Sequence, residues 1–562
     1  MKKNNISIVV FLFITFIMFM FIVYNTNFES KPVISGFEDK ELIIKKPNSI
    51  IKYNSKDNDF MLDSDKTIYL STDILSEDLG VKVHFDPRHN IAVITTLDRV
   101  IRFYGNTDKV KVNNKEADYI KSMIMNGEKP LIPINQIKED LKIENKFFPE
   151  TNTIVVKSLY DDEIIGKIDR DNVILKKDIK IWSKVIRGIN KGEEVQIIGE
   201  ADDWIKILTH DGKVGFVKKK LITNIEEIVG IKPEKNNPIW KPEKNKIILT
   251  WESVYSRNPD TSKIKDMDGL NVISPTWIHL IGADGKLNHN IGKDYINWAK
   301  KRGYKIWALF SNSFDPKLTD KFLNNSLARE RVINDLLNLI KDNNLDGINI
   351  DFENVYLKNK ELLVQFIREM TPVFHENNLV VSIDVTVIGG SDTWSRFLDR
   401  KALGEVVDYM AVMTYDEHWA SSPVSGSVAS IGWVEKSIER IIKEVPSEKL
   451  LLGVPLYTRI WTETPSRERA NKMYVESRAV PMKNAMKILD KENIVKIWDE
   501  GAGQYYIAYI ENNKLNKIWF ENAESIKLKT DLVKKYNLAG VAAWRRGYET
   551  EEIWNIIDKN IN

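Results

Sequence analysis

Cysteine is absent from the 562 residues, which excludes disulfides, thiolate catalysis and cysteine-held metals, and leaves the redox compartment unread. Histidine is scarce, seven in all, and no two stand at i, i+4 or a comparable ligand spacing, so no metal and no other cofactor is expected. An excess of one charge is missing too. Lys plus Arg number 82 against 80 for Asp plus Glu, a net charge of +2, which removes the electrostatic case for a nucleic-acid partner. With 18 Pro and 27 Gly the chain has neither a fibrous repeat nor the make-up of bulk disorder. What is present is 43% hydrophobic and 29% charged residues over a length past the size at which one core keeps growing, so several folded units are expected.

Lys2 and Lys3 precede residues 6–24, a run without a charged side chain. At about 1.5 Å per helical residue it approaches the roughly 30 Å of a bilayer core. The polar stretch Asn25, Thr26, Asn27 offers no small-x-small cleavage site, so residues 1–26 are expected to be an uncleaved transmembrane helix. With the lysines inside, this places a single-pass cell-membrane protein with its bulk on the extracytoplasmic side.

Residues 33–160 contain an internal repeat. Tyr69-Leu70, Asp78-Leu79, Phe85, Pro87, Asn90 and Val93 return as Leu131-Ile132, Asp140-Leu141, Phe147, Pro149, Asn152 and Val155, each unit reading strand, short helix, turn, strand. The pattern resembles the repeat domain named after the N-terminal part of copper amine oxidases, without any copper ligand set. A rigid spacer and a glycan-binding module are both open readings of it. Residues 164–225 carry short strands at 173–175, 194–198, 204–208 and 214–217 with an Asp211-Gly212 turn, the pattern of a small β-barrel. The stretch Gly192 to Val195 with Trp204 and Gly215-Phe216-Val217 resembles a bacterial SH3 domain, although Trp204 could equally be core. A charged, Pro-containing linker fills 226–243, with Pro233, Pro238 and Pro242.

Over 244–562 apolar strand-like runs alternate with helical stretches. The runs lie at 247–251, 272–280, 305–310, 347–352, 380–385, 409–414, 450–455 and 540–544, the eight strands of a closed (β/α)8 TIM barrel. Ile333, Leu336, Leu337 and Ile340 recur at helical spacing, which turns one stripe of that segment toward the sheet. The long connection between strands seven and eight has its own strand signals at 505–510 and 518–520, and predicts an α+β insertion at the catalytic rim.

In such a barrel the reacting groups stand at the carboxyl ends of the strands. Strand four ends Asp346-Gly-Ile-Asn349-Ile-Asp351-Phe-Glu353, and strand alternation puts Asn349, Asp351 and Glu353 on one inward face. Close carboxyls push their pKa values apart, leaving one protonated near neutral pH and able to act as a general acid.

The run Asp346-Gly347-x-x-x-Asp351-x-Glu353 resembles the signature of glycoside hydrolase family eighteen, the chitinase and N-acetylglucosaminidase family. The resemblance implies that Glu353 protonates the glycosidic oxygen, that Asp351 holds the substrate acetamido group, and that Asp346 is mainly structural at the outer edge of the motif. Met413-Thr-Tyr415-Asp416 resembles the family's Met-x-Tyr-Asp element, which implies that Tyr415 bonds the acetamido carbonyl and Asp416 a sugar hydroxyl. Trp544 matches the tryptophan under the reacting sugar. Many chitinases carry Asp where this chain has Asn349, whose amide is expected to donate to Asp351. The form Asp-Gly-Ile-Asn-Ile-Asp-Phe-Glu with the Ala-Trp544-Arg-Arg-Gly ending looks most like bacterial cell-wall and spore-cortex glucosaminidases. Trp251, Phe314, Trp394, Trp419, Tyr457 and Trp461 are either rim platforms for sugar rings or core.

The resemblance thus implies a membrane-anchored, substrate-assisted, retaining hydrolase of β-linked N-acetylglucosamine in cell-wall polysaccharide. A chitinase acting on chitin oligomers and an inactive glycan-binding lectin are the alternatives, the latter disfavoured by the retained Glu353. Oligomeric state is not legible in the sequence.

Overall fold

The computed structural model describes residues 40–105, 107–180, 182–243, 246–465, 473–489 and 495–562. The strands of the repeat domain build three sheets, two of four strands and one of five. Equivalent strands of the two units, Ile68–Ser71 and Lys129–Pro133, pair antiparallel with Leu70 opposite Ile132. Each unit then runs through a short helix, Ile74–Asp78 or Lys138–Leu141, into a hairpin. The equivalent turn residues Asn90 and Asn152 both adopt positive φ, 53° and 50°, which asparagine tolerates better than most residues.

Strands Ile91–Thr95 and Val100–Tyr104 are buried on both faces for a tertiary reason. Ala92, Ile94, Ile101 and Phe103 face the core of the repeat domain. Ile91, Val93 and Val100 belong to the core of the barrel. The following unit is a seven-stranded sheet that includes Val173–Lys176, Glu194–Ala201, Trp204–Thr209 and Val214–Lys218. The ammonium groups of Lys176 and Lys218 lie over the Trp204 ring, 5.6 and 4.3 Å from its centroid.

Eight parallel strands then close on themselves: Ile247–Glu252, Val272–Pro275, Lys305–Ser311, Gly347–Asp351, Val380–Thr386, Tyr409–Met413, Leu450–Pro455 and Gly540–Trp544. The first pairs with the eighth and the second with the third, which completes the barrel. Strand two ends early because Pro275 has no N–H for the ladder, and a separate short strand, Ile278–Leu280, resumes beside strand three. Helix Ser326–Asp342 buries Ile333, Leu336 and Ile340, while Leu337 packs at the margin. Between strands seven and eight stands a five-stranded antiparallel sheet with one helix, Met482–Leu489.

The transmembrane helix expected over residues 6–24, and the single-pass membrane placement that rested on it, are corrected here. That segment lies outside the described residues, and among the described residues no helix is long and apolar enough to cross a membrane. The longest of these helices, Ser326–Asp342, has 17 residues, about 26 Å of rise, and carries Arg329, Glu330, Arg331, Asp335 and Lys341.

Candidate active site

Strand four delivers two acids to the barrel mouth by simple alternation. Asn349 and Asp351 are buried on the inward face, and Glu353 follows just beyond the strand end. The Glu353 backbone is fixed by a neighbour: Asn312, after strand three, accepts from Glu353 N at 3.1 Å and donates to Glu353 O at 2.8 Å. Asn312 is fully buried, and its amide also donates to Thr319 Oγ1 at 2.9 Å. A planar amide that grips both sides of one residue sets the direction in which that residue's side chain leaves the strand.

The electrostatics follow chiefly from burial. Burial pushes the Asp351 carboxyl up, an effect reduced by the hydrogen bond it takes from Glu353. Burial likewise pushes Glu353 up, with the charge of Asp351, its hydrogen bond and Asp416 adding to the rise. Glu353 therefore keeps its proton through neutral pH beside the Asp351 carboxyl, the state required of a general acid. Tyr415 is raised well above its ordinary value by burial first and by the surrounding carboxylates second, so it remains a neutral hydroxyl donor.

Strand six supplies the next side chains. Met413 closes the strand, half-buried. Asp416 stands in the left-handed region at φ 58°. Its Oδ1 accepts from Tyr457 Oη at 2.7 Å and Arg459 Nη2 at 3.2 Å, both on the first strand of the inserted lobe. Trp544 ends strand eight against Trp251, with ring centroids 5.8 Å apart. Strands four, six and eight thus bring Asn349, Asp351, Glu353, Met413, Tyr415, Asp416 and Trp544 to the carboxyl end of the barrel. Asp346 is not among them. It lies at the opposite end of strand four, where its carboxylate accepts from Ile306 N at 3.0 Å and Lys305 Nζ at 2.8 Å.

One expectation resolves differently in the fold, and one open reading divides. The Asn349 amide does not serve Asp351. Its Nδ2 donates to Asp384 Oδ2 at 2.7 Å, and its Oδ1 accepts from Ser382 Oγ at 2.7 Å, because strand five runs alongside in register. Of the six aromatic candidates, Trp251, Tyr457 and Trp461 are core, whereas Phe314, Trp394 and Trp419 stay about half exposed.

Sequence reasoning missed Asp384, Asn312 and Arg459. Asp384 was within reach, since strand five reads Val380-Val-Ser-Ile-Asp384-Val-Thr386 and the alternation that flagged strand four also marks Ser382 and Asp384 as inward. Asn312 and Arg459 carry no such signal, because their partners are distant in sequence.

A sequence model of the family described as "Glycosyl hydrolases family 18" matches residues 257–549, more than half of the chain. Models described as "Bacterial SH3 domain" and "Copper amine oxidase N-terminal domain" match residues 181–223 and 44–156. Among curated proteins the chain is 28% identical over 303 residues to the uncharacterized glycosylase YvbX of Bacillus subtilis, covering 50% of this chain and 85% of that one. It is 29% identical over 261 residues to the cortical fragment-lytic enzyme of the same organism, covering 46% of this chain and 59% of that enzyme. Among solved structures, the Bacillus megaterium spore cortex-lytic enzyme SleL aligns with a TM-score of 0.50 at 22% identity, over 63% of this chain and 79% of that one, a likeness of fold alone.

Proposed function

The chain belongs to glycosyl hydrolase family 18, and from that premise we propose that this glycosidase cuts β-linked N-acetylglucosamine in bacterial cortex or cell-wall glycan. The observation that carries the reading is the placement of Asp351 and Glu353 together at the mouth of the barrel with Tyr415 beside them, where burial and the Asp351 charge favour the protonated form of Glu353. The substrate class is supported by the likeness to a cortical fragment-lytic enzyme, of which the chain covers 59% of the length.

In this reading Glu353 gives its proton to the leaving glycosidic oxygen. Asp351 accepts from the acetamido N–H, and Tyr415 donates to the acetamido carbonyl, so that the acetamido oxygen is aimed at the anomeric carbon. The substrate is then its own nucleophile. An oxazolinium ion forms, Glu353 as a carboxylate takes a proton from water, and that water opens the ring with net retention, the substrate-assisted exception to the two-carboxylate scheme. Asp416, oriented by Tyr457 and Arg459, accepts from a sugar hydroxyl, and Trp544 forms the floor under the ring.

The test is chemical. Glycosides of N-acetylglucosamine should be cleaved with retention and inhibited by a stable thiazoline mimic of the intermediate, while β-glucosides lacking the 2-acetamido group should not be cleaved. Inversion at the anomeric carbon, or a covalent glycosyl adduct on Asp351, contradicts it.

A further inference from the structure

Asp384 belongs to no role assigned above, yet it lies in the same layer as the acids of strand four. Ile350 is paired with Ile383 in the parallel ladder, so the next residues, Asp351 and Asp384, lie side by side. Both are buried inside the barrel. One oxygen of Asp384 is fully used, because Oδ2 accepts from Asn349 Nδ2 at 2.7 Å and from Trp251 Nε1 at 3.1 Å. Its other oxygen, Oδ1, is buried without a hydrogen-bond partner, and so is Oδ1 of Asp351.

Two orphaned carboxyl oxygens on adjacent inward positions are costly if both groups are ionised, and a proton retained by the pair relieves that cost. We infer that Asp351 and Asp384 hold one proton in common, which makes Asp384 a positioning residue that fixes the Asp351 carboxyl for the acetamido group. The proton belongs to the pair rather than to either residue. The titratable groups facing Asp384 are Asp351 and Glu353 from strand four and Tyr415 from the end of strand six. Trp251 and Asn349, its hydrogen-bond donors, do not titrate. Burial first and the Asp351 charge second push Asp384 well above the ordinary aspartate range, and no cation is among the groups that act on it most strongly. Asn349 then has a purpose its type alone does not reveal: its amide satisfies Oδ2, so that the proton goes to the Oδ1 side.

This inference rests on the reading of Asp351 as the group that orients the acetamido. Its test needs no substrate, so the two can fail separately. Carboxyl-carbon NMR of the full chain labelled at aspartate should show one aspartyl proton retained at pH 7. That signal should vanish in Asp384→Asn, where an amide donates to Asp351 instead, and equally in Asp351→Asn, where an amide donates to Asp384. If one variant does not fold, the other carries the same prediction. In turnover, Asp384→Ala should lose about 100-fold, and Asp384→Asn, which restores a donor toward Asp351, should recover at least about tenfold of that. Every aspartate ionised at pH 7 in the unaltered protein, or a retained proton that survives either substitution, overturns the inference, as does an Asp384→Asn variant no better than Asp384→Ala.

Discussion

At Glu353 the buried environment and the neighbouring charge act in the same direction, so its proton is retained above the ordinary range for glutamate. Glu353→Gln keeps the shape and removes the transferable proton, and turnover should fall by about 10²–10⁴ while glycan binding, measured by calorimetry, persists. Near-normal turnover would mean that another group is the acid. The sign of the pH dependence follows from the same pair. Because Asp351 raises Glu353, Asp351→Asn should lower the Glu353 pKa and move the alkaline limb of the residual kcat/KM profile to lower pH. A limb that stays put would show the two carboxyls to be uncoupled. At this scale Asp351 and Glu353 were legible because alternation along one strand is local. The Asn349 partner was not, since whether its amide turns to Asp351 or to Asp384 depends on a strand more than thirty residues away.

The elements around the site do two jobs, clamping Glu353 and presenting aromatic faces. Asn312→Ala removes both backbone contacts to Glu353, and kcat should drop by about tenfold with little change in KM, as expected of a misaimed acid rather than a lost sugar contact. The half-exposed rings of Trp394 and Trp419 follow strands five and six. An aromatic stacking contact is worth about 0.5–1.5 kcal/mol, so Trp419→Ala should raise KM about threefold to tenfold on long glycans and leave the shortest substrates unaffected. The barrel strands could be placed from sequence because both faces of each are covered and each reads as an apolar run. The lobe was only half legible. Its strands Gln504–Glu511 and Lys514–Trp519 alternate visibly, whereas Met473–Pro481 is exposed along most of its length and carries no burial pattern to detect.

Across the whole molecule, the repeat domain is seated on the barrel through a buried charge cluster as well as through Ile91, Val93 and Val100. Glu369, fully buried on helix Lys360–His375, accepts from Arg329 at 2.9 Å and from Arg102 of the repeat domain at 3.2 Å. Burial pushes Glu369 up, but the two guanidinium groups outweigh it and hold the carboxyl below its ordinary value. A depressed carboxyl contributes stability that is present above the unfolded pKa of about 4.3 and is lost as pH falls through the folded value, so the contact should weaken only in acid. Glu369→Gln leaves two buried cations short of a counter-charge and should cost about 3–5 kcal/mol in denaturant unfolding. A change within about 0.5 kcal/mol would contradict the cluster's role. No signal along the chain paired Arg102 with Glu369, 267 residues apart. What the whole molecule is for is tested most directly by mass spectrometry of the fragments it releases from purified spore-cortex peptidoglycan. The account predicts soluble muropeptides ending in reducing N-acetylglucosamine, absent with Glu353→Gln; fragments ending in reducing muramic acid, or no release at all while chitin oligomers are cleaved, would contradict it.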